Sequence, residues 1–146
     1  MEKYPEKAKI LKIDIKTSNE GDVIFETINQ NFECFICLDE IKIFQGLKKN
    51  QIINVEFSLL NLSATKLAEH VKKIQQAKKI GVRVNRTMVF GEIIEISDHP
   101  NPKFWNYRRV VLDCGVFIKT RIPRDQNFKK GDFIRVEGRL DAHFVN

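Results

Sequence analysis

The chain has 146 residues, 42% of them hydrophobic and 30% charged, a composition that supports a folded core and excludes a disordered polyelectrolyte. Its net charge of +6 and pI of about 9.3 suit a polyanionic partner. No apolar run approaches the ~18 residues that a membrane span needs, and the opening Met-Glu-Lys-Tyr-Pro-Glu-Lys does not read as a signal peptide. The expected setting is therefore the cytoplasm, with no membrane partner.

In chain order, Ala8 to Ile15 alternates as a strand, Asn19-Glu20-Gly21-Asp22 reads as a turn, and Val23 to Ile28 with Phe32 to Leu38 flank Asn29-Gln30-Asn31 as a hairpin. Cys34 and Cys37 fall in the second arm of that hairpin. Residues three apart on a strand point to opposite faces, so this pair reads as small hydrophobes and not as ligands of one zinc ion. With Cys114 they make three cysteines, an odd set for which no disulfide is expected.

Ile41 to Gly46 leads into another strand, Ile52 to Leu60. Ser63 then offers an N-cap, Leu67, Val71 and Ile74 recur at helical spacing, and Gly81 is a natural stop, which predicts a linker helix over residues 63–81. Thr87 to Ser97 is a long strand with Gly91 where it could bend sharply. Asp98-His99-Pro100-Asn101-Pro102 forces a loop, because two prolines so close neither continue a ladder nor start a helix. Tyr107 to Asp113 and Val116 to Ile122 form a hairpin about Cys114-Gly115, Pro123 to Gly131 links, and Asp132 to Leu140 closes.

This order of elements occurs twice. Leu47 to Leu59 aligns without a gap on Phe128 to Leu140, an offset of 81, and Lys12-Ile13-Asp14-Ile15 aligns on Ile93-Ile94-Glu95-Ile96 at the same offset. The expected organisation is a first barrel over residues 1–62, the linker helix over 63–81 and a second barrel over 82–146. A unit of about 60 residues is marginal alone, so the halves should pack together or the protein should self-associate.

The short strands of each half, the last of them entered in the second half through Lys-Lys-Gly-Asp and closing on Val-x-Gly-x-Leu, resemble the OB-fold, a small Greek-key barrel. The fold class expected is all-β with a linker helix, two tandem OB-like barrels, similar in design to single-stranded DNA-binding and replication protein A-type modules. The resemblance implies a binding face on the second and third strands and the loop between the first and second. A narrower resemblance, to the OB-type tRNA-binding domain, rests on Gly91-x-Ile93, His99-Pro100-Asn101 and Val111-x-Asp113-x-Gly115.

The residues of that face read independently as a surface for a single strand. Alternation along Val116 to Ile122 puts Phe117, Lys119 and Arg121 on one side; the preceding strand puts Tyr107 and Arg109 on one side and Arg108 on the other, and the loop supplies Lys103, Phe104 and Trp105. Bases stack on rings while cations follow the phosphates. The predicted nucleic-acid contacts are Lys103, Trp105, Tyr107, Arg108, Arg109, Phe117, Lys119, Arg121 and Arg124. The competing structural roles are a barrel plug for Phe104 and Trp105, an inter-barrel contact for Phe117, and a merely wet face for Arg135 and Arg139.

All eight arginines lie in the second half, whereas the matching strand face of the first half reads Glu33, Phe35, Cys37 and Asp39. Acids there repel phosphate, which assigns the first half to stability, assembly or a protein partner. The three histidines are scattered and no phosphate loop or nucleophile motif is present, while a metal site on Asp98 and His99 has no second ligand at an indicated spacing. The reading is a non-enzymatic protein with no catalytic residue, cofactor or metal, whose partner is single-stranded DNA or RNA, with DNA favoured. A scaffold subunit that binds protein or self-associates through the first barrel or the linker helix is the competing class, and a tRNA-binding module the third.

Overall fold

The computed structural model describes residues 4–15, 20–28, 30–37, 47–76, 86–98 and 100–145. The expected connection over 41–46, Asp39 and His99 lie outside the described residues. The strands are β1 (Glu6–Ile15), β2 (Glu20–Glu26), β3 (Asn31–Cys37), β4 (Ile52–Lys66), β5 (Lys73–Gln76), β6 (Thr87–Asp98), β7 (Tyr107–Asp113), β8 (Phe117–Pro123) and β9 (Phe133–Phe144). The chain is all-β, and among the described residues its helical structure is one 3-10 turn, Pro102–Phe104.

Two elements differ from the sequence reading. Glu20 to Asp22 are not a turn but the start of β2, where Gly21 faces Ile36. The linker helix is absent over the described part of 63–81: β4 runs on to Lys66, a short irregular stretch follows, and β5 is a strand. The cause is a partner. β9 pairs with β4 from Val55↔Phe144 to Lys66↔Ile134, so residues 63–66 gain a ladder that no isolated helix could match.

All nine strands form one sheet in the order β1-β2-β3-β9-β4-β8-β7-β6-β5, with further ladders between β1 and β4 and between β6 and β9. Two closed circuits of ladders result. One is β1-β2-β3-β9-β4 and the other is β6-β7-β8-β4-β9, and both use the β4–β9 ribbon. Each half of the chain thus donates a strand to the other: β9 runs parallel to β3 at Phe35↔Asp141, and β4 runs parallel to β8 at Phe57↔Ile118. The boundary expected after residue 62 falls inside β4.

The ribbon carries the sequence repeat as a pseudo-twofold. Leu59 faces Leu140, its own counterpart 81 residues on, so the axis passes between them. The turns that enter the two strands match as well. Asn50 at φ 72° and Gly131 at φ 96° both take the left-handed conformation after a Lys-Lys pair. The first strands, however, match at another offset. Val55 faces Glu6 while its counterpart Val136 faces Val89, so β1 corresponds to β6 at 83 residues, and the bulges at Ile10/Lys12 and Ile93/Glu95 agree. A two-residue slip is invisible to alternation, because only an odd slip exchanges the faces of a strand.

One continuous core fills both circuits, with Phe25, Phe32 and Phe57 packed edge-to-face in the first and Ile93, Leu112, Ile118, Ile122 and Ile134 in the second. Gly91 is required by close approach, since a Cβ there would lie 2.6 Å from the Asp113 carbonyl oxygen. Opposite the ribbon, glutamines join the halves. The Gln76 amide donates to the Glu33 carbonyl at 2.6 Å and accepts from its N–H at 2.8 Å, standing in for a backbone partner, and Gln30 reaches the Cys114 carbonyl at 3.2 Å.

Cys34 and Cys114 are buried and Cys37 is exposed. Burial pushes the Cys34 thiol well up and the Cys114 thiol to about 12. A thiolate is the reactive species, so at pH 8 a thiol reagent should modify Cys37 alone in the folded protein and all three cysteines after denaturation. Rapid native labelling of Cys34 or Cys114, read by peptide mass, would contradict the placement of these strands.

Candidate nucleic-acid interface

The β7–β8 hairpin pairs Tyr107↔Pro123, Arg109↔Arg121, Val111↔Lys119 and Asp113↔Phe117, and of these all but the buried Val111 are at least partly exposed, while Val110, Leu112, Ile118, Thr120 and Ile122 face the core. The outer surface is therefore dominated by cations and rings, as the alternation predicts. The predicted site residues differ in what each side chain touches.

Trp105, Tyr107 and Lys103 are exposed, Trp105 to 59% and Tyr107 to 41%. Trp105 does not plug the barrel end. The loop that presents it is built locally: Asn101 accepts from the Lys103 N–H at 3.0 Å, and Pro102 opens the 3-10 turn where its missing N–H costs nothing. Arg124, just past the end of β8, secures the loop, donating from Nε to the Trp105 carbonyl at 2.6 Å and pairing with Asp98 at 2.8 Å. Arg124 thus braces the backbone at Trp105 and keeps a partly exposed guanidinium.

Arg121 lies over two rings, 5.0 Å from the centroid of Phe104 and 5.6 Å from that of Tyr107. Such contacts hold a flexible guanidinium in place. Lys119 pairs with Glu56 at 2.7 Å. Arg109 is half-buried, its Nε has no hydrogen-bond partner, and among the described residues no carboxylate pairs with it.

Arg108 and Phe117 have other surroundings. Arg108 turns to the opposite side of β7, where Nη2 donates to the carbonyls of Gln126 and Phe128 at 3.1 and 3.0 Å, closing the end of the second circuit. Phe117 is half-buried against Tyr4, with ring centroids 5.2 Å apart, and its N–H donates to the Glu6 carboxylate. Tyr4 also donates to Glu95. The interface role weighed for Phe117 matches this packing against the N-terminal segment.

Three clefts run along this surface. The first, about 310 Å³, is lined by Arg109, Lys119 and Arg121 with Ser58, Leu60 and Asp141 from the ribbon. A second, about 530 Å³, shares Arg121 and adds Phe104, Tyr107 and Gln126. A third, about 520 Å³, shares Tyr107 and reaches Arg124. Shared residues join them, with Arg109, Lys119 and Arg121 at one end and Phe104 and Tyr107 beyond. Sequence reading missed the ribbon residues Ser58, Leu60 and Asp141, because the β4–β8 ladder that brings them here joins segments about 60 residues apart; the strand repeat itself was the available signal.

The pseudo-equivalent surface of the first circuit has the opposite character. The ladders place Asp22 where the second circuit has Arg109, Glu33 at Lys119 and Phe35 at Arg121. Arg139 covers Phe35 at 4.3 Å and is held by both oxygens of Asp141, at 2.7 and 3.0 Å. That hydrogen-bonded pair raises the Arg139 pKa above its ordinary value. Arg139 is thus an ion-paired partner of the first circuit, more than the merely wet residue expected.

No family model matches the chain, and no curated protein matches it. Among solved structures, it is similar to the cytoplasmic molybdate-binding protein ModG in a form with molybdate bound, with a TM-score of 0.53 and 11% identity over 97% of this chain and 95% of that one. At that identity the likeness is one of fold.

Proposed function

We propose that this protein binds single-stranded nucleic acid in the cytoplasm, with DNA favoured, and that each circuit of ladders is an OB-like Greek-key barrel of which the second carries the binding surface. The observation that carries this reading is the run of adjoining clefts lined first by Arg109, Lys119 and Arg121 and then by Phe104 and Tyr107, with Trp105 exposed on the neighbouring loop. Sequence-tolerant binding of a single strand needs a ring for each stacked base and a cation near each phosphate, and no catalytic group. Lys103 and Arg124 extend the positive margin beside Trp105. Arg108 and Phe117 serve the scaffold in this scheme. The fold shared with a molybdate-binding protein brings no ligand to this chain at 11% identity.

The lone tryptophan reports directly. Titration with dT and rU oligonucleotides should quench a red-shifted Trp105 emission, with a log–log salt slope of about −0.7 per phosphate contacted. Trp105→Ala, followed by anisotropy of a labelled oligonucleotide, should weaken binding by roughly 1–3 kcal/mol with little change in Tm. Emission indifferent to both oligonucleotides, together with unchanged affinity of the variant, would refute the assignment.

A further inference from the structure

Val110, Val111 and Leu112 are consecutive in β7 and all fully buried. Consecutive residues of a strand face opposite sides, so with Val110 and Leu112 turned to the core, Val111 is covered from outside the sheet. The N-terminal segment lies there. Tyr4 packs its ring on Phe117 of β8, with centroids 5.2 Å apart, and donates its hydroxyl to Glu95 of β6. Because β7 runs between β8 and β6, the tyrosine side chain crosses β7 on the outer side, and Glu95 is itself the ladder partner of Val111. Two residues on, the Glu6 carboxylate accepts from the Phe117 N–H at 3.0 Å. An aromatic side chain laid on Phe117 from outside the sheet takes the place that a base would take.

We infer that Phe117 is a further stacking position for a bound strand, kept covered by Tyr4 until an oligonucleotide long enough to reach it displaces the tyrosine. The inference rests on the nucleic-acid reading. Phe117, Lys119 and Arg121 follow one another on the outward side of β8, so at about 3.3 Å per residue Phe117 lies roughly 7 Å from Lys119, which lines the first cleft. Phe104 and Tyr107 stand beyond Arg121, so an uncovered Phe117 extends the surface in the opposite direction. Tyr4 is placed to leave. β1 begins at Glu6, whose partner is Val55, while Tyr4 and Pro5 belong to no ladder and Pro5 has no N–H to bond. Release of the tyrosine therefore breaks a ring contact and a side-chain hydrogen bond and leaves β1 in place. Glu6 stays in its ladder, and with Glu95 it keeps two carboxylates beside the ring. These disfavour a phosphate there, whereas Glu95, once the tyrosine hydroxyl has left, accepts from an N–H on the edge of a base.

The test compares the full chain with Tyr4→Ala and Tyr4→Phe, by anisotropy of labelled dT oligonucleotides of about 4 and about 16 nucleotides, the range of site sizes for one barrel of this kind. Tyr4→Ala should bind the longer oligonucleotide roughly 3–10-fold more tightly, the factor by which an aromatic pair holds the covered form, and the shorter one with unchanged affinity. Tyr4→Phe keeps the ring and loses the bond to Glu95, so its gain should be smaller. Phe117→Ala added to Tyr4→Ala should cancel the gain, with circular dichroism showing that the double variant is folded. In the unmodified protein, NMR cross-relaxation between the Tyr4 and Phe117 rings should disappear when the longer oligonucleotide saturates; the chain has two tyrosines, so their signals are readily told apart. A Tyr4→Ala variant that binds the longer strand no more tightly, or cross-relaxation that survives saturation, overturns the inference and makes Tyr4 a structural contact. The nucleic-acid reading stands in that case as long as Trp105 emission responds to oligonucleotide. Absence of binding by both the unmodified protein and Tyr4→Ala, at either length, sinks both.

Discussion

Phe57→Ala should destabilise both halves of the molecule at once, by about 3–5 kcal/mol. The ring is 1% exposed, packs against Phe25 and Phe32 with centroids 5.7 and 4.9 Å away, and sits on the strand that both circuits share, facing Ile118 on one side and Ala142 on the other. For a chain of this size the loss corresponds to a fall in Tm of roughly 6–20 °C. The more telling result is cooperativity. Trp105 emission and amide exchange in β7 report on the second circuit, the phenylalanine cluster lies in the first, and a shared ribbon requires them to unfold in one transition. If β7 stayed protected while β1 to β3 melted in the variant, the two circuits would be independent domains and the exchange of strands between them would be wrong.

Reversing charge at Arg109 and Arg121 together should abolish most oligonucleotide binding and flatten the salt slope by about 1.4, the share of two phosphate contacts on a single strand. Both guanidiniums line the first cleft, and Arg121 continues into the second, so the pair interrupts the run of clefts at its junction. The same reversal at Lys48 and Lys49, on the turn before β4, should leave affinity nearly unchanged, because that turn is bonded to Ile10 of β1 in the first circuit and lines none of the three clefts. Circular dichroism confirms that each variant is folded. Equal losses at both pairs would mean that attraction is diffuse, and the division between one binding circuit and one structural circuit would fall.

Local pattern was enough to find most strands here, and it failed where the pairing partner was remote. β7 matches the sequence reading residue for residue, and β8 and β6 differ by a single residue at their ends, since alternating Val, Ile and Leu between turn residues leaves few other solutions. The stripe of Leu67, Val71 and Ile74 satisfied helical spacing equally well. What decided against it was β9, whose residues lie about 70 positions away from those they pair with as they continue the β4 ladder to Lys66, and β6, which takes Ile74 into β5 opposite Val89. Intrinsic helix preference amounts to tenths of a kcal/mol per residue, and a ladder with buried neighbours outweighs it.

The sequence by itself determined that the chain is β-rich, that one plan is used twice, and that cations and rings gather on the outer side of the β7–β8 hairpin. These follow from periodicity and residue type, which are local properties. Only the tertiary structure decided that the two copies exchange strands through one ribbon, that Arg108 bonds the Gln126 and Phe128 carbonyls while Phe117 packs on Tyr4, and that Arg109 meets Arg121 in a cleft lined by Ser58 and Leu60. Each of these depends on ladders between distant segments, and register across such ladders is set by the buried face of the whole sheet, which no single stretch of sequence contains.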